Sequence, residues 1–350
     1  MRVITQIPNH DLREAQKVAQ LAERCGFDAV VTAENAHTPF MPLAAAALVT
    51  DKIGLQTAVA MAFPRSPTIM AQSAWDVHKA SNGRFHLGLG SQVKQHNERR
   101  FGISWSPPAP RMRDYIGAVR ALWKAFEAGA TVDYHSETYT LTLLTPNFAP
   151  KPTGLPPIAV SLATVGPAML TLAGEVADGA RLHPFSTKRY LAEVSLARIG
   201  DGLAKSGRKR SDIEVIAGGY GFIGTGRDEA AVAKARAYVR FRIAFYCSTR
   251  AYWDVLRLHD MEWLGEKVNP LPREGRWEEM KTIIPEDLID TFATLETYEN
   301  LPKAIEKRYG GHADTVLLQI SGDEDIDRLA QAVAGIRQIP SPYTGAVRSA

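Results

Sequence analysis

The sequence predicts a single (β/α)8 barrel, an α/β fold in which parallel strands alternate with helices around a closed core. Short apolar segments alternate with segments of helical spacing, and the pair recurs eight times along the 350 residues. This alternation requires a parallel sheet whose outer face is covered by helices. Eight units fit a closed barrel better than an open doubly wound sheet, although the open sheet stays an alternative at this point.

The predicted strands are short runs rich in apolar residues. In chain order they are Arg2–Ile7, Asp28–Thr32, Ile53–Val59, Arg84–Leu89, Pro157–Leu162, Asp178–His183, Ile213–Ile223 and Thr315–Ile320. The seventh run includes the pattern G-x-G-x-x-G at residues 219–224, which we interpret as a bent barrel strand because no helix follows it directly.

The predicted helices carry signals at their ends. The first, Asp11–Cys25, ends at Gly26, and Ser66-Pro67 places an N-cap before a proline at the first helical position. The others are Pro42–Thr50, a helix running from Pro67 to about Ser81, Arg111–Ala128, Ala168–Val176, Thr187–Lys205, Asp228–Phe245, Glu299–Tyr309 and Asp323–Ile336.

Residues 1–339 are predicted to form one domain with insertions near the strand C-termini. The insertions are expected at about 92–110, at 131–150, where alternating residues indicate a β-hairpin, and at 248–284, which has no regular period. Residues 340–350 are expected to form a loose C-terminal segment.

The composition excludes several classes of function. Basic residues number 41 and acidic residues 38, so no electrostatic footprint for nucleic acid is expected. The longest apolar stretch, Met41–Val49, is too short to cross a bilayer, and a cytoplasmic location is the default expectation. The two cysteines lie far apart, and the nine histidines show no paired metal-binding pattern, so we expect neither disulfide nor metal site.

Polar residues that follow strands are the candidates for a site, because ligands bind at the carboxyl ends of parallel strands. After the second strand, Glu34 and His37 stand three residues apart and could act as acid, base or substrate anchor. The alternative is that Glu34 pairs with a neighbouring loop and that His37 is a surface residue. Arg65, in the loop after the third strand, is interpreted as a surface residue.

Glycines end the fourth strand and begin the helix after the fifth. Gly88 and Gly90 permit close approach of the backbone to a flat ring or a phosphate. In Thr164-Val165-Gly166-Pro167, the proline suits the first helical position, and free backbone N–H groups at a helix start suit a phosphate. An ordinary glycine-capped helix start fits that segment equally well.

In its order of motifs the chain resembles the luciferase-like monooxygenase superfamily, and in particular its coenzyme F420-dependent oxidoreductase branch. The resemblance extends from Arg2 to about Ile339. The segments that carry it are Gly26–Val30 with Glu34, Ala62–Pro67, Ser81–Gly90, Gly166–Met169 and Leu172–Gly179.

The resemblance implies a deazaflavin or flavin across the barrel mouth, with its phosphate at Thr164, Val165 and Gly166. It also implies a non-proline cis peptide at Ala58-Val59, behind the ring. The other residues that it places along the ring or tail are Gly90, Gln92, Val93 and His96.

Over the reactive face the resemblance places Glu34, Asn35 and His37. Relatives often carry Asp-His in this loop, where this chain has Glu34-Asn35, so the identity of the proton donor stays open. Candidates for the substrate pocket are Phe40, Trp105, His183 and Tyr246.

The expected function is therefore F420-dependent hydride transfer to or from a small organic substrate, with His37 or Glu34 moving a proton. Two alternatives remain: an FMN-dependent monooxygenase on the same barrel, and a binding protein that holds the flavin or deazaflavin without turnover. The resemblance also implies a homodimer.

Overall fold

A computed structural model describes residues 1–320 and 325–345. Its centre is a barrel of eight parallel strands. The strands are β1 (Arg2–Gln6), β2 (Ala29–Thr32), β3 (Gly54–Thr57), β4 (Phe85–Gly90), β5 (Ala159–Thr164), β6 (Gly179–Leu182), β7 (Glu214–Gly218) and β8 (Thr315–Leu317).

The sheet closes on itself. Strand β1 lies between β2 and β8, with Ile4 opposite Ala29 on one side and Leu317 on the other. At the far end of the sheet β3 pairs with β4, where Leu55 lies opposite Phe85. This last pairing confirms the barrel and excludes the open doubly wound sheet.

Eight helices surround the barrel, one after each strand. They are α1 (Leu12–Arg24), α2 (Phe40–Ala47), α3 (Pro67–Ala80), α4 (Pro108–Ala128), α5 (Pro167–Val176), α6 (Leu196–Lys205), α7 (Leu301–Tyr309) and α8 (Ile326–Arg337). Side-chain caps begin several of them: Asp11 accepts from the N–H groups of Arg13 and Glu14, and Ser66 accepts from that of Ile69. Helix α6 is preceded by the helical turns Lys188–Tyr190 and Leu191–Ser195.

The barrel interior includes a polar layer. The guanidinium of Arg181 is buried, and its Nε donates to Ser161 Oγ at 2.7 Å while an Nη donates to Gln56 Oε1. Burial lowers the pKa of Arg181 to about 10. Apolar side chains such as Leu87 and Leu89 belong to the main hydrophobic core. Side chains along a barrel strand therefore alternate between the barrel interior and the layer under the helices.

All eight observed strands differ from the predicted ones by one to five residues at one end or both, and in two of them the backbone shows why. The third ends at Thr57 instead of Val59, because the cis peptide Ala58-Val59 interrupts it, and a short strand Ala60–Met61 then continues the pairing with β4. The seventh ends at Gly218 instead of Ile223, because residues 218–221 all have positive φ and turn the chain out of the barrel.

Residues 219–300 therefore lie outside the eight strands, and we call them the mouth excursion. Strand Ile223–Gly226 pairs in parallel with Thr294–Thr297, so the G-x-G-x-x-G segment is not one bent barrel strand. Helix Glu229–Cys247 packs against this strand pair in a second hydrophobic cluster. The shorter helices of the excursion are Arg250–Tyr252, Trp253–Arg257, Glu262–Val268, Trp277–Ile283 and Glu286–Phe292.

Two smaller segments complete the chain. Helix Lys94–Arg99 follows β4, and a hairpin of Tyr134–His135 with Thr140–Leu141 follows α4, before the turn Pro146–Phe148. A further helical turn, Arg210–Asp212, precedes β7. Of the predicted C-terminal segment 340–350, residues 346–350 lie outside the described part, as do residues 321–324, where the last helix was predicted to begin.

Candidate active site at the barrel mouth

The bulge after β3 is the first feature at the carboxyl ends of the strands. Its cis peptide, Ala58-Val59, is held from both sides, since Ala58 N donates to Thr32 O at 2.7 Å and Glu34 N donates to Val59 O at 3.2 Å. Behind it lies Gly90, where an added Cβ would stand 2.5 Å from a methyl group of Val59. The fold thus brings together three predicted site residues, Ala58, Val59 and Gly90.

Glu34 is fixed against this bulge by a two-pronged ion pair. The Nη1 and Nη2 atoms of Arg65 lie 2.7 Å from Oε2 and Oε1 of Glu34, and Met61 N donates to Oε2 at 2.7 Å. The side chain of Glu34 is only 8% exposed. A carboxylate that accepts three such hydrogen bonds is suited to positioning the bulge.

His37 stands in a different setting, at the exposed centre of the loop between β2 and α2. The loop is anchored at its start by Asn9, whose Nδ2 donates to Ala33 O at 2.8 Å, and near its end by Thr32, whose hydroxyl donates to Pro39 O at 2.7 Å. Within the described residues His37 has no hydrogen-bond partner, so its imidazole is available to a ligand.

The segment after β4 places three further predicted residues at the mouth. Gln92 has a φ of +58°, and its side-chain carbonyl accepts from Val93 N at 2.9 Å. Val93 is 52% exposed and directly precedes helix Lys94–Arg99, on which His96 is exposed. Asn97 anchors this helix from inside, since its Nδ2 donates to Ser91 O at 3.0 Å.

The start of α5 is open on its outer side. A Cβ added at Gly166, the N-cap, would meet nothing within 4 Å, and Val165 is 39% exposed. The hydroxyl of Thr164 is already used, because it donates to Arg181 O at 3.1 Å. The segment can therefore offer an anion its backbone N–H groups and the positive end of the helix dipole, but not the threonine hydroxyl.

His183, at the end of β6, belongs to an aromatic cluster with the mouth excursion. Its ring stacks on Tyr252 at 4.4 Å and meets the edge of Tyr246 at 4.6 Å. Phe185 N donates to its Nδ1 at 3.2 Å, so the neutral ring carries its proton on Nε2. Burial, with the charge of Arg242 nearby, lowers the pKa of His183 to about 3, and the ring is neutral at physiological pH.

Thr164, Val165, His183 and Tyr252 line a common narrow crevice that is partly open to solvent. The remaining predicted substrate residues are placed differently. Phe40 is buried in the main core, 6.2 Å from the ring of Phe85, and Trp105 is half-buried in the connection between β4 and α4.

Sequence reasoning missed Arg65, Tyr220, Arg242 and Tyr252. Arg65 was interpreted as a surface residue, yet it pairs with a carboxylate 31 positions away in the chain. Arg242 and the tyrosines lie in the mouth excursion, where no periodic pattern marks which side chains face the barrel.

Within residues 1–320 and 325–345, none of the helices combines the length and apolarity needed to cross a membrane. In the same residues no cluster of three or more histidine, cysteine or acidic side chains is arranged to hold a metal ion.

Comparison with known proteins places the chain in a family. The model of the luciferase-like monooxygenase family matches residues 2–315. An uncharacterized protein of Mycobacterium tuberculosis is 42% identical over 311 residues, 89% of this chain and 91% of that protein. The 5,10-methylenetetrahydromethanopterin reductase of Archaeoglobus fulgidus is 28% identical over 303 residues, 86% of this chain and 87% of the reductase.

A solved structure has the same fold. The solved structure of the coenzyme F420 dependent tetrahydromethanopterin reductase from Methanopyrus kandleri superposes with a TM-score of 0.77 at 20% identity, over 95% of this chain and 97% of that one. The family match over nearly the whole barrel and the similarity to these relatives agree with each other. The chain belongs to the luciferase-like monooxygenase family of oxidoreductases.

Proposed function

We propose that the chain is a coenzyme F420-dependent oxidoreductase that transfers a hydride between the deazaflavin and a small organic substrate. The observation that carries the proposal is the pairing of two features at one barrel mouth: the bulge at Ala58-Val59 backed by Gly90, and the open helix start at Gly166. An open helix start suits a phosphate, and the bulge at the same mouth presents backbone against which a flat ring could lie.

The residues present fit such a cofactor. Gly166 leaves the start of α5 unobstructed for a phosphate, with Val165 exposed beside it, and Gly90 leaves room for the bulge itself. Gln92, Val93 and His96 would line the ring or tail from the side of β4. When bound, F420 supplies a carbon centre that accepts or donates a hydride.

The chain's own groups then divide the remaining work. Glu34 positions the bulge through Arg65, because its carboxylate is fully engaged there. His37, exposed and without a partner in the described part of the chain, holds or moves the proton that the substrate exchanges. His183 is neutral and donates from Nε2, so it orients a substrate instead of carrying a proton.

The substrate would lie between the crevice and the aromatic cluster. His183 and Tyr246 would form its wall on the side of the mouth excursion, and Trp105 would close it from the connection after β4. Phe40 would affect the site indirectly by supporting Arg65, whose guanidinium carbon lies 5.9 Å from the centre of its ring.

The choice of F420 is supported by the names of two similar proteins. The reductase from Methanopyrus kandleri is described as coenzyme F420 dependent, and the Archaeoglobus fulgidus relative is named as a reductase of the same kind of pterin substrate. The family name leaves FMN-dependent oxygenation as the second candidate, on the same barrel mouth.

Titration of the purified protein with F420 and with FMN tests the cofactor. We expect F420 fluorescence to be quenched with saturation in the micromolar range and FMN to bind at least about tenfold more weakly. Tighter binding of FMN would overturn the F420 assignment in favour of the monooxygenase. The complex with reduced F420 is then mixed with enones, imines and aldehydes. If the cofactor is not oxidised in any of these mixtures, the result favours a binding protein without turnover.

The oligomeric state is also a proposal. We expect a homodimer, as the family resemblance implies. Light scattering during gel filtration should give about twice the mass of one chain, and the mass of a single chain would contradict this expectation.

A further inference from the structure

Arg242, on helix Glu229–Cys247, lies among aromatic rings at the barrel mouth. Its guanidinium carbon is 5.0 Å from the ring centres of both Tyr220 and Tyr246 and 5.8 Å from that of Phe245. It donates one hydrogen bond, to the hydroxyl of Tyr246. Its Nε is buried without a hydrogen-bond partner, and it forms no ion pair with any described carboxylate.

Other partly buried arginines of the chain use their donors. Arg84 donates to the carbonyl oxygens of Ser81, Ile53 and Thr50. Arg308 donates to the Thr294 hydroxyl and to three carbonyl oxygens. A guanidinium carries five N–H donors, and a buried donor that has no acceptor is costly. The Nε of Arg240 is also buried without a partner, but Arg240 pairs with Glu286, whereas Arg242 has no carboxylate partner among the described residues. The cation of Arg242 is therefore free to take an anionic ligand.

Among the described residues, no carboxylate pairs with Arg242 and the rings around it are uncharged. Burial lowers the pKa of His183 to about 3 and raises the pKa values of Tyr220, Tyr246 and Tyr252, so these side chains are neutral at physiological pH. A single positive charge in such an apolar setting attracts an anion far more strongly than it would in water.

The cluster is accessible from the proposed cofactor site. Tyr220 is 40% exposed, and the ring of His183 contacts Tyr246 on one side and Tyr252 on the other. His183 and Tyr252 line the crevice that also includes Val165. A molecule that enters this crevice thus contacts His183 and Tyr252, whose rings pack against Tyr246 beside Arg242.

We propose that Arg242 and the surrounding tyrosines bind a carboxylate on a flat, unsaturated or aromatic substrate. The planar fork of a guanidinium matches a carboxylate, and the tyrosine rings suit a flat body. The inference rests on the proposed function, because the crevice is taken as the place where substrate meets cofactor. The phosphate of the cofactor has its own support at the start of α5, so the cation is assigned to the substrate.

Benzoate and its neutral counterpart benzamide test the inference by calorimetric titration at constant ionic strength, without cofactor. Wild-type protein should bind benzoate at least about tenfold more tightly than benzamide. Arg242→Met should abolish this preference, and Arg242→Lys should keep part of it, since lysine retains the charge but not the fork. Arg240→Met is the matched control. Arg240 lies on the same helix as Arg242, but its charge is paired with Glu286.

Equal binding of benzoate and benzamide by the wild type, or an equal loss in Arg240→Met, would overturn the inference. Melting curves and circular dichroism establish that the variants fold, and Arg242→Lys gives the answer if Arg242→Met does not. F420 should bind Arg242→Met within about twofold of the wild type, whereas a tenfold loss there would assign Arg242 to the cofactor tail and also overturn the inference. Failure of the wild type to bind F420 would contradict the proposed function alone, because the benzoate titration needs no cofactor.

Discussion

At the scale of single residues, the ion pair of Glu34 and Arg65 determines how the loop after β2 and the bulge after β3 fit together. The pair joins two segments that are separated by a whole strand and helix in the chain, and both carboxylate oxygens are used. The guanidinium of Arg65 also lies over the ring of Phe40 and donates to Met61 O at 3.2 Å. A single guanidinium thus connects the site to the core.

Replacement of Arg65 by methionine should therefore destabilise the protein. The side chains of Glu34 and Arg65 are 8% and 20% exposed, so loss of one partner leaves a largely buried charge unpaired. We expect the free energy of unfolding to fall by about 3 kcal/mol, measured by urea denaturation. Arg198→Met is the control, because its pair with Asp201 is exposed and its loss should cost no more than about 0.5 kcal/mol. A similar small change in Arg65→Met would show that the pair is not structural.

At the scale of elements, the contact of β3 with β4 depends on a glycine. A Cβ at Gly88 would stand 2.0 Å from the carbonyl oxygen of Thr57 and 2.9 Å from Nε of Arg181. Two neighbouring strands and the polar layer of the barrel meet there, and the backbone atom cannot move aside without opening the sheet.

Gly88→Ala is accordingly expected to lower the free energy of unfolding by about 3 kcal/mol or to prevent folding. The measurement is the urea midpoint or, for an unfolded product, the circular dichroism spectrum. Gly200→Ala serves as the control: Gly200 lies in α6 with open space around its Cβ position, and alanine there should stabilise the helix by up to about 1 kcal/mol. The proposed role of Gly88 would be refuted by a stable, fully folded Gly88→Ala protein.

The start of α5 allows a similar comparison for the cofactor. Gly166→Asp places a negative charge where a phosphate is proposed to lie, and we expect F420 to bind about tenfold more weakly, measured by fluorescence titration. Aspartate is a good N-cap residue, so helix α5 should not be weakened. Gly166→Asn is the isosteric control without charge and should retain most of the affinity. Equal affinities of the two variants for F420 would show that the phosphate does not bind at this helix start.

At the scale of the whole molecule, two buried histidines make stability depend on pH. Burial lowers the pKa of His86, in the barrel, and of His183, at the mouth, to about 3, whereas an unfolded histidine has a pKa near about 6.5. Below that value the unfolded chain binds a proton at each position that the folded chain does not. The stability they contribute is therefore complete above about pH 6.5 and is lost as the pH falls toward 3.

Urea unfolding at pH 7, 6 and 5 measures this dependence. Between pH 6.5 and 5 each histidine should account for a loss of about 2 kcal/mol. His183→Phe keeps an aromatic ring in the cluster and should remove about half of the loss that the two residues cause. Parallel curves for His183→Phe and wild type would mean that His183 has the same pKa in the folded protein as in the unfolded chain.

The sequence was sufficient for much of the fold because the relevant signals are local. Apolar runs of strand length and capped helices such as those that begin at Asp11 and Ser66 are visible within a few residues. The exit of the chain at Gly218 was missed, because apolar residues continue on both sides of it and only the positive φ values of residues 218–221 mark the turn.

The candidate site was predictable only in part. The resemblance to the family predicted the cis peptide Ala58-Val59, and the spacing after β5 predicted the helix start at Gly166, both of which the structure contains. The partners of these segments were not predictable, since Arg65 and Arg242 acquire their roles from contacts with residues distant in the chain.

By itself the sequence determined the succession of strands and helices and the positions of the glycines and prolines at their ends, since these depend on neighbouring residues. The tertiary structure alone decided that the sheet closes through β3 and β4 and that Glu34 is an anchored carboxylate. It also decided that Arg242 faces aromatic rings, with no ion-pair partner in the described part of the chain. Closure, ion pairing and desolvation are relations between segments far apart in the chain, and they exist only after the barrel has brought those segments together.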